Sequence, residues 1–176
     1  QGGGVKAARV VAPGRIEIVD APLPEPGPNE VRVKLKGIGI RAGRFALYVP
    51  EGWTRSRDGT MVYFRGDGRT LGIDQTDTPQ PDPVADWEGK AEYRTSIGDF
   101  PGYDEIHIKP VDYFDKAADW EFTFNRGGSR RHVNNRGVIT SKNQAYGFWW
   151  ETSQSDWSGA RKDLELIFDS FRPAAG

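Results

Sequence analysis

The stretch Ala118-Asp119-Trp120-Glu121-Phe122-Thr123-Phe124-Asn125 decides the fold, because apolar and polar side chains alternate strictly along it. A period of two predicts a β-strand with one buried face and one wet face. The Gly127-Gly128 turn then predicts a reversal into a second strand over residues 132–140. A further turn leads to a third strand over residues 144–151. The three segments together predict an antiparallel meander.

A helix is expected to cover this meander. Residues 155–171 carry one apolar stripe at helical spacing, which consists of Trp157, Ala160, Leu164, Ile167, Phe168 and Phe171. An earlier helix is predicted from Asp82 to Ser96, because Asp82 can cap it and Pro83 suits its first position. The predicted fold class is α+β: an antiparallel β-sheet covered by two helices, with an N-terminal β-hairpin-rich segment.

Composition excludes several kinds of site and partner. The 176 residues carry a formal net charge of −1, and so near-neutral a charge argues against a nucleic-acid partner. The absence of cysteine excludes disulfides, thiolate metal sites and cysteine nucleophiles. No run approaches the roughly 20 apolar residues that a membrane span needs. We expect no membrane span in this chain.

The N-terminal part predicts a segment of its own. Residues 1–4 have the composition of a tag or linker. Two β-branched runs flank Pro13-Gly14 and predict a hairpin. The prolines between Pro22 and Pro28 predict an extended connector, and the alternation over residues 30–40 predicts a strand.

Residues 5–40 also resemble the GroES-like start of medium-chain zinc-dependent alcohol dehydrogenases. The resemblance is carried by Lys6-Ala7-Ala8-Arg9-Val10-Val11, Arg15-Ile16-Glu17-Ile18, Pro24-Glu25-Pro26-Gly27-Pro28-Asn29-Glu30-Val31 and Gly37-Ile38-Gly39-Ile40. That family has a zinc-binding cysteine where this sequence has Arg41, and its nucleotide-binding loop is absent. We therefore expect a β-rich segment over residues 5–43 that binds no zinc and no nicotinamide cofactor.

Residues 44–173 resemble the C-terminal, non-kinase domain of some actinobacterial serine/threonine protein kinases and, more distantly, the Mog1/PsbP-like fold. The blocks that carry this resemblance are Val49-Pro50-Glu51-Gly52-Trp53, Asp82-Pro83-Val84-Ala85-Asp86-Trp87, Ala117-Ala118-Asp119-Trp120-Glu121-Phe122, His132-Val133-Asn134-Asn135-Arg136-Gly137 and Ser170-Phe171-Arg172-Pro173. The kinase motifs themselves are missing. The resemblance implies a non-catalytic sensing or binding module without catalytic residues or cofactors.

Two families that meet near residues 40–44 suggest a chimeric protein, natural or engineered, with convergence of the N-terminal segment as the alternative. The resemblance implies an extracytoplasmic location if the chain is native to a receptor kinase; otherwise we expect a soluble cytoplasmic or engineered protein. The apolar residues of segment 5–40 predict strand pairing within the chain, with residues 45–75, or exchange between two chains in a homodimer.

Two sets of side chains are candidates for ligand binding. His107, Glu121, His132 and Asn134 should share the polar sheet face, opposite the helix-covered side and together with Glu105. Such a face is most simply solvated, but it could also bind a metal or supply an acid and a base. The alternative function is therefore a small enzyme of the hydrolase or cyclase type.

Trp149 and Trp150 form the second set. Neighbouring residues on a strand point to opposite faces, so one indole should lie in the core. The other could stack on a sugar or peptide. The function that we predict is ligand binding, with a cell-envelope component or a peptide as the ligand.

Overall fold

Antiparallel β-structure dominates the computed structural model, which describes residues 4–12, 15–22, 37–41 and 45–173, with side chains from residue 45 onward. The strands are β1 (Gly4–Ala12), β2 (Arg15–Pro22), β3 (Gly37–Arg41), β4 (Phe45–Pro50), β5 (Thr54–Asp58), β6 (Met61–Gly66), β7 (Arg69–Thr76), β8 (Asp104–Val111), β9 (Lys116–Arg126), β10 (Ser129–Ser141), β11 (Gln144–Ser153) and β12 (Arg172–Pro173). The helices are α1 (Pro83–Ser96) and α2 (Arg161–Ser170).

A seven-stranded sheet has the order β5-β6-β7-β11-β10-β9-β8, and every pairing in it is antiparallel. The predicted meander is confirmed as β9, β10 and β11. Gly127 and Gly128 have φ values of 56° and 76°, which the two-residue turn between β9 and β10 requires. Strand β5 was not predicted, because all five of its residues are exposed and no apolar alternation marks it.

Helix α1 confirms the prediction from the Asp82-Pro83 pair. Asp82 Oδ1 accepts hydrogen bonds from the backbone N–H groups of Val84 at 2.9 Å and Ala85 at 3.3 Å. The helix lies over β8, β9 and β10. Its contact surface is an aromatic cluster of Phe100, Trp120, Phe122 and Phe124 with Ala91 and Val133. The sequence analysis predicts that the C-terminal helix covers the aromatic side of β9. This prediction is wrong, because α1 covers that side.

Helix α2 covers the opposite face of the sheet and is shorter than the predicted 155–171. A 3-10 turn at Gln154–Asp156 comes first, and Ser153 Oγ accepts the N–H of Asp156 at 3.2 Å. Gly159, a poor helix former, lies in the next turn. The apolar stripe is nevertheless buried, with Ile167, Phe168 and Phe171 packed in a core with residues of β4, β6, β7 and β11.

A small three-stranded sheet of order β12-β4-β3 lies beside α2 in the chain's larger unit. Strand β3 pairs with β4 from Gly37 opposite Pro50 to Arg41 opposite Ala46. The strand predicted over residues 30–40 is thus present over residues 37–41, and residues 30–36 lie outside the described part.

The chain divides into two compact units, residues 1–35 and 36–176. The first unit contains the predicted hairpin, with β1 and β2 paired from Gly4 opposite Pro22 to Ala12 opposite Arg15. The proline-rich connector falls outside the described residues. Pairing of the first unit with another chain, and a domain boundary at residue 43, stay predictions.

Candidate functional site

A carboxylate bridges two imidazoles on the sheet face that carries α2. Glu121 Oε1 lies 2.7 Å from His132 Nε2, and Glu121 Oε2 lies 2.9 Å from His107 Nε2. The strand register causes this, because Glu121 is paired with His107 of β8 and lies two residues from Thr123, the partner of His132, on the same face of the sheet. The structure therefore brings together three of the predicted site residues.

Packing encloses this cluster. His132 is only 5% exposed, its Nδ1 lies 3.0 Å from Gln154 Oε1, and its ring stacks on Trp157 with the ring centroids 3.5 Å apart. Burial favours a raised pKa for Glu121, but hydrogen bonds and charge from His132 and His107 outweigh burial and hold its pKa below the ordinary value. Both Glu121 oxygens are occupied by protein partners, and so are both His132 nitrogens.

The prediction that this polar face lies opposite the helix-covered side is wrong. Each face of the sheet carries a helix, and the histidine cluster shares its side with α2 and Trp157. Glu105 is not part of the cluster, because an irregularity between Glu105 and His107 turns it to the α1 side. There it accepts a hydrogen bond from the Tyr103 hydroxyl at 2.9 Å.

Asn134 is buried between Glu121 of β9 and Trp150 of β11, with which it is in register. Trp150 is 1% exposed and stacks on Trp53, with the ring centroids 5.9 Å apart. Neither side chain is positioned to contact a ligand. Trp149, in contrast, lies on the α1 side and is only partly buried.

An ion pair extends the polar cluster. Arg136 donates two hydrogen bonds to Asp119, at 2.7 and 2.8 Å. Its guanidinium also lies 3.9 Å from the ring centroid of Phe168 and 4.8 Å from that of Tyr113. Within the described ranges, no group of three or more histidine and carboxylate side chains is arranged to hold a metal ion. The cluster and its ion pair tie the sheet to the C-terminal segment.

A cleft of about 650 Å³ opens on the other face of the sheet, between α1, residues 76–83 and strands β7, β10 and β11. We call it the α1 cleft. Trp87, Tyr93 and Trp149 contribute aromatic walls. Gly147 lies at its floor, where an added Cβ would meet no atom within 4 Å.

The α1 cleft exists because α1 lies over β9 and β10 and does not extend over the rest of this sheet face. Trp87 packs against Gly137 of β10, where an added Cβ would lie 3.1 Å from the indole nitrogen. The same indole donates to the carbonyl of Ala118 at 3.0 Å, which fixes α1 over β9 and β10. Strands β6, β7 and β11 consequently keep part of this face uncovered.

The indole N–H groups of Trp87 and Trp149 already donate hydrogen bonds within the protein. The walls of the cleft therefore offer a ligand the surfaces of these rings. Trp149 Nε1 donates to Glu151 at 3.2 Å. Lys90 Nζ pairs with Asp86 at 2.5 Å, and Arg94 pairs with Asp99. The cleft combines aromatic walls with charged side chains, namely Asp74 of β7 and Asp86, Lys90 and Arg94 of α1.

Sequence reasoning identified Trp149 and missed Trp87, Asp74 and Gly147 of the cleft. One local signal was available: glycines at 72 and 147 interrupt strand patterns, and such glycines often mark a close approach or a site with room for a ligand. No local pattern in the sequence indicates that β7, β11 and α1 lie next to one another.

No helix of the described part is long and apolar enough to cross a bilayer. The fold resembles solved structures at low sequence identity. Cyanobacterial PsbP (CyanoP) from Synechocystis sp. PCC 6803 superposes with a TM-score of 0.59 at 14% identity, covering 84% of this chain and 99% of that one. The Ran-binding protein Mog1p of Saccharomyces cerevisiae superposes with a TM-score of 0.58 at 11% identity, covering 80% of this chain and 96% of that one. These likenesses confirm the predicted Mog1/PsbP-like α+β fold.

No curated protein matches the chain. The dehydrogenase-like segment and the chimera have no support from the comparisons and stay predictions. The profile of the serine/threonine kinase C-terminal domain matches residues 41–173. Since this match spans most of the chain, the chain belongs to the serine/threonine kinase C-terminal domain family.

Proposed function

We propose that the chain is a non-catalytic module that binds a peptide for the kinase to which such a domain is attached, and that the α1 cleft is its binding site. The observation that carries the proposal is the cleft itself. Its volume of about 650 Å³ falls in the range of ligand sites, and aromatic walls beside polar groups are typical of them.

The histidine cluster supports a structural role over the alternative of a small enzyme. A general acid or base must reach a substrate within hydrogen-bond distance. His132 is 5% exposed and lies against Trp157, and Glu121 is bound on both oxygens. Glu121 and His132 are therefore committed to one another and to the packing of the C-terminal segment, and the remaining ring nitrogen of His107, Nδ1, is itself buried.

The fold likeness to a protein described as Ran-binding agrees with a binding role, since the same architecture there serves partner recognition. The partner of the present chain is a separate matter, because fold does not fix function. We propose that the module lies outside the cytoplasm when its kinase is a receptor. Protease treatment of intact cells that carry the full kinase tests this: digestion of the module is expected, and full protection would contradict it.

Peptide selection followed by calorimetry tests the binding site. Peptides displayed on phage and selected on the full chain are expected to bind it and to lose at least tenfold in affinity for Gly147→Val, whose side chain fills the cleft floor. Gly89→Ala is the matched control, because an added Cβ there also meets no atom within 4 Å but lies on the exposed face of α1. Equal affinity of the selected peptides for both variants would overturn the proposal.

A further inference from the structure

We propose that the α1 cleft recognises a positively charged side chain, lysine or arginine, on the bound peptide, with Asp74 as its counter-ion. This inference rests on the proposed function and adds the chemistry of the ligand. Three features of the cleft support it: the carboxylate of Asp74, the indole rings of Trp87 and Trp149, and the open floor at Gly147.

Asp74 is the charge in the cleft that protein cations leave unneutralised. Lys90 is paired with Asp86, and Arg94 is paired with Asp99. Asp74 uses Oδ1 to accept the backbone N–H of Gln75 at 3.0 Å, and no cation in the part of the chain with described side chains pairs with it. A carboxylate at the wall of an apolar cleft favours a cationic ligand group.

Asp74 can be reached from the cleft, because Gly147 is its partner in the register of β7 and β11. The floor beside the carboxylate therefore carries no side chain, and an added Cβ at Gly147 would find open space. An aliphatic stem that crosses Gly147 would bring an ammonium or guanidinium group to Asp74.

The aromatic walls suit the same group. Cations are attracted to the faces of indole rings. Lys90 Nζ already lies 5.0 Å from the ring centroid of Trp87, which shows this attraction within the cleft wall. Trp149 packs on Phe100 with centroids 6.0 Å apart and borders the open floor, so its ring surface is available to the stem or the charge of a ligand.

The surface beyond the cleft favours a peptide over a free amine. Tyr93 borders the cleft and is 62% exposed, and Ile97, four residues later at the C-cap of α1, is 52% exposed. These two side chains continue the apolar surface past the cleft. A peptide with apolar residues next to its basic one would cover them, whereas a free amine would leave them in water.

Isothermal titration with the selected peptides tests the charge requirement. Asp74→Asn keeps an oxygen for the Gln75 N–H and removes the charge, and we expect it to weaken a lysine-containing peptide at least tenfold. Asp77→Asn, at an exposed position outside the cleft lining, is the control and should leave affinity within twofold. Replacement of the peptide's lysine by norleucine should cause a similar loss in the native chain and no further loss in Asp74→Asn. Thermal melting of each variant checks that it is folded.

Three results would overturn the inference. Unchanged affinity of the lysine peptide for folded Asp74→Asn would exclude the counter-ion. Selected peptides without any basic residue that still lose binding to Gly147→Val would leave the proposed function standing and remove the charge preference. Nα-acetyl-lysine methylamide that binds as tightly as the peptide would show that the site takes a free amine.

Discussion

The two faces of the seven-stranded sheet differ in how completely they are covered. The face under α2 is filled by aromatic side chains and by the Asp119–Arg136 and Glu121–histidine clusters, with Phe168 and Trp157 packed against them. The face under α1 is covered over β8, β9 and β10 and open over β7 and β11. The first face therefore holds the fold together, and the second offers room for a ligand.

This difference shows that polar side chains in a sheet are a poor guide to a site. The side chains richest in chemistry, two histidines and a carboxylate, are joined to one another through Glu121 and are enclosed by protein. A glycine and a half-buried tryptophan mark the accessible space. Substitutions on the two faces should consequently have opposite profiles, with large losses of stability on the α2 face and small ones in the cleft.

The largest effect on stability is expected at Trp150, and its neighbour Trp149, which points to the opposite face of the sheet, provides the comparison. Trp150→Ala should lower the free energy of unfolding by about 3 to 5 kcal/mol, because it empties a buried site against Trp53. Trp149→Ala should cost clearly less, since that indole is partly exposed already. Urea denaturation of both variants measures the difference. Equal losses would remove the distinction between the faces.

Arg136→Ala should lower stability by about 3 kcal/mol, because it leaves Asp119 charged and buried without its partner. Arg94→Ala is the matched control: its pair with Asp99 lies at 42% and 38% side-chain exposure, and such pairs contribute less than about 1 kcal/mol. Denaturation in urea compares the two. A loss below about 1 kcal/mol for Arg136→Ala would mean that the ion pair does not fasten the C-terminal segment.

The Glu121 cluster should make stability depend on acid pH. The pKa of Glu121 is lower in the folded protein than its ordinary value of 4.5, so its contribution is fully present above that value. It is lost as the pH falls through the folded pKa. Glu121→Gln should cost about 2 kcal/mol at pH 7, since it removes charged hydrogen bonds, and this difference from the native chain should shrink below pH 4.5.

Thermal melting at a series of pH values checks this dependence. Glu165→Gln serves as the control, because its pair with Arg161 is more than half exposed on both sides, and it should differ little from the native chain at any pH. A Glu121→Gln difference that stays constant from pH 7 to pH 3 would contradict the prediction.

The smallest effect on stability is expected for Gly147→Val, within about 0.5 kcal/mol, since the new side chain enters open space and valine suits a strand. Gly66→Val is the contrasting variant in the same sheet. An added Cβ there would lie 2.1 Å from the Trp53 ring, so a marked loss is expected. Chemical denaturation ranks the two, and a large loss for Gly147→Val would show that the cleft floor is not free.

The sequence by itself determined the elements whose causes are local. Alternation along residues 118–125 separated the buried from the polar side chains of β9, and Gly127-Gly128 placed the turn into β10. Asp82 and Pro83 placed the start of α1. Each of these signals lies within a few residues of its effect, so it can be read without knowing what the segment packs against.

Only the tertiary structure decided which helix covers which face, where α2 begins and where the cleft lies. An apolar stripe shows that a helix must be buried but does not identify the surface against which it packs. The spacing of the residues therefore could not show that Phe168 and Trp120 belong to cores on opposite sides of the sheet. A local register irregularity between Glu105 and His107 places Glu105 on the opposite face from the polar cluster. The cleft joins Asp74, Trp87 and Gly147 from three separate segments. Their proximity depends on strand order and helix placement, which long-range packing sets and no local periodicity records.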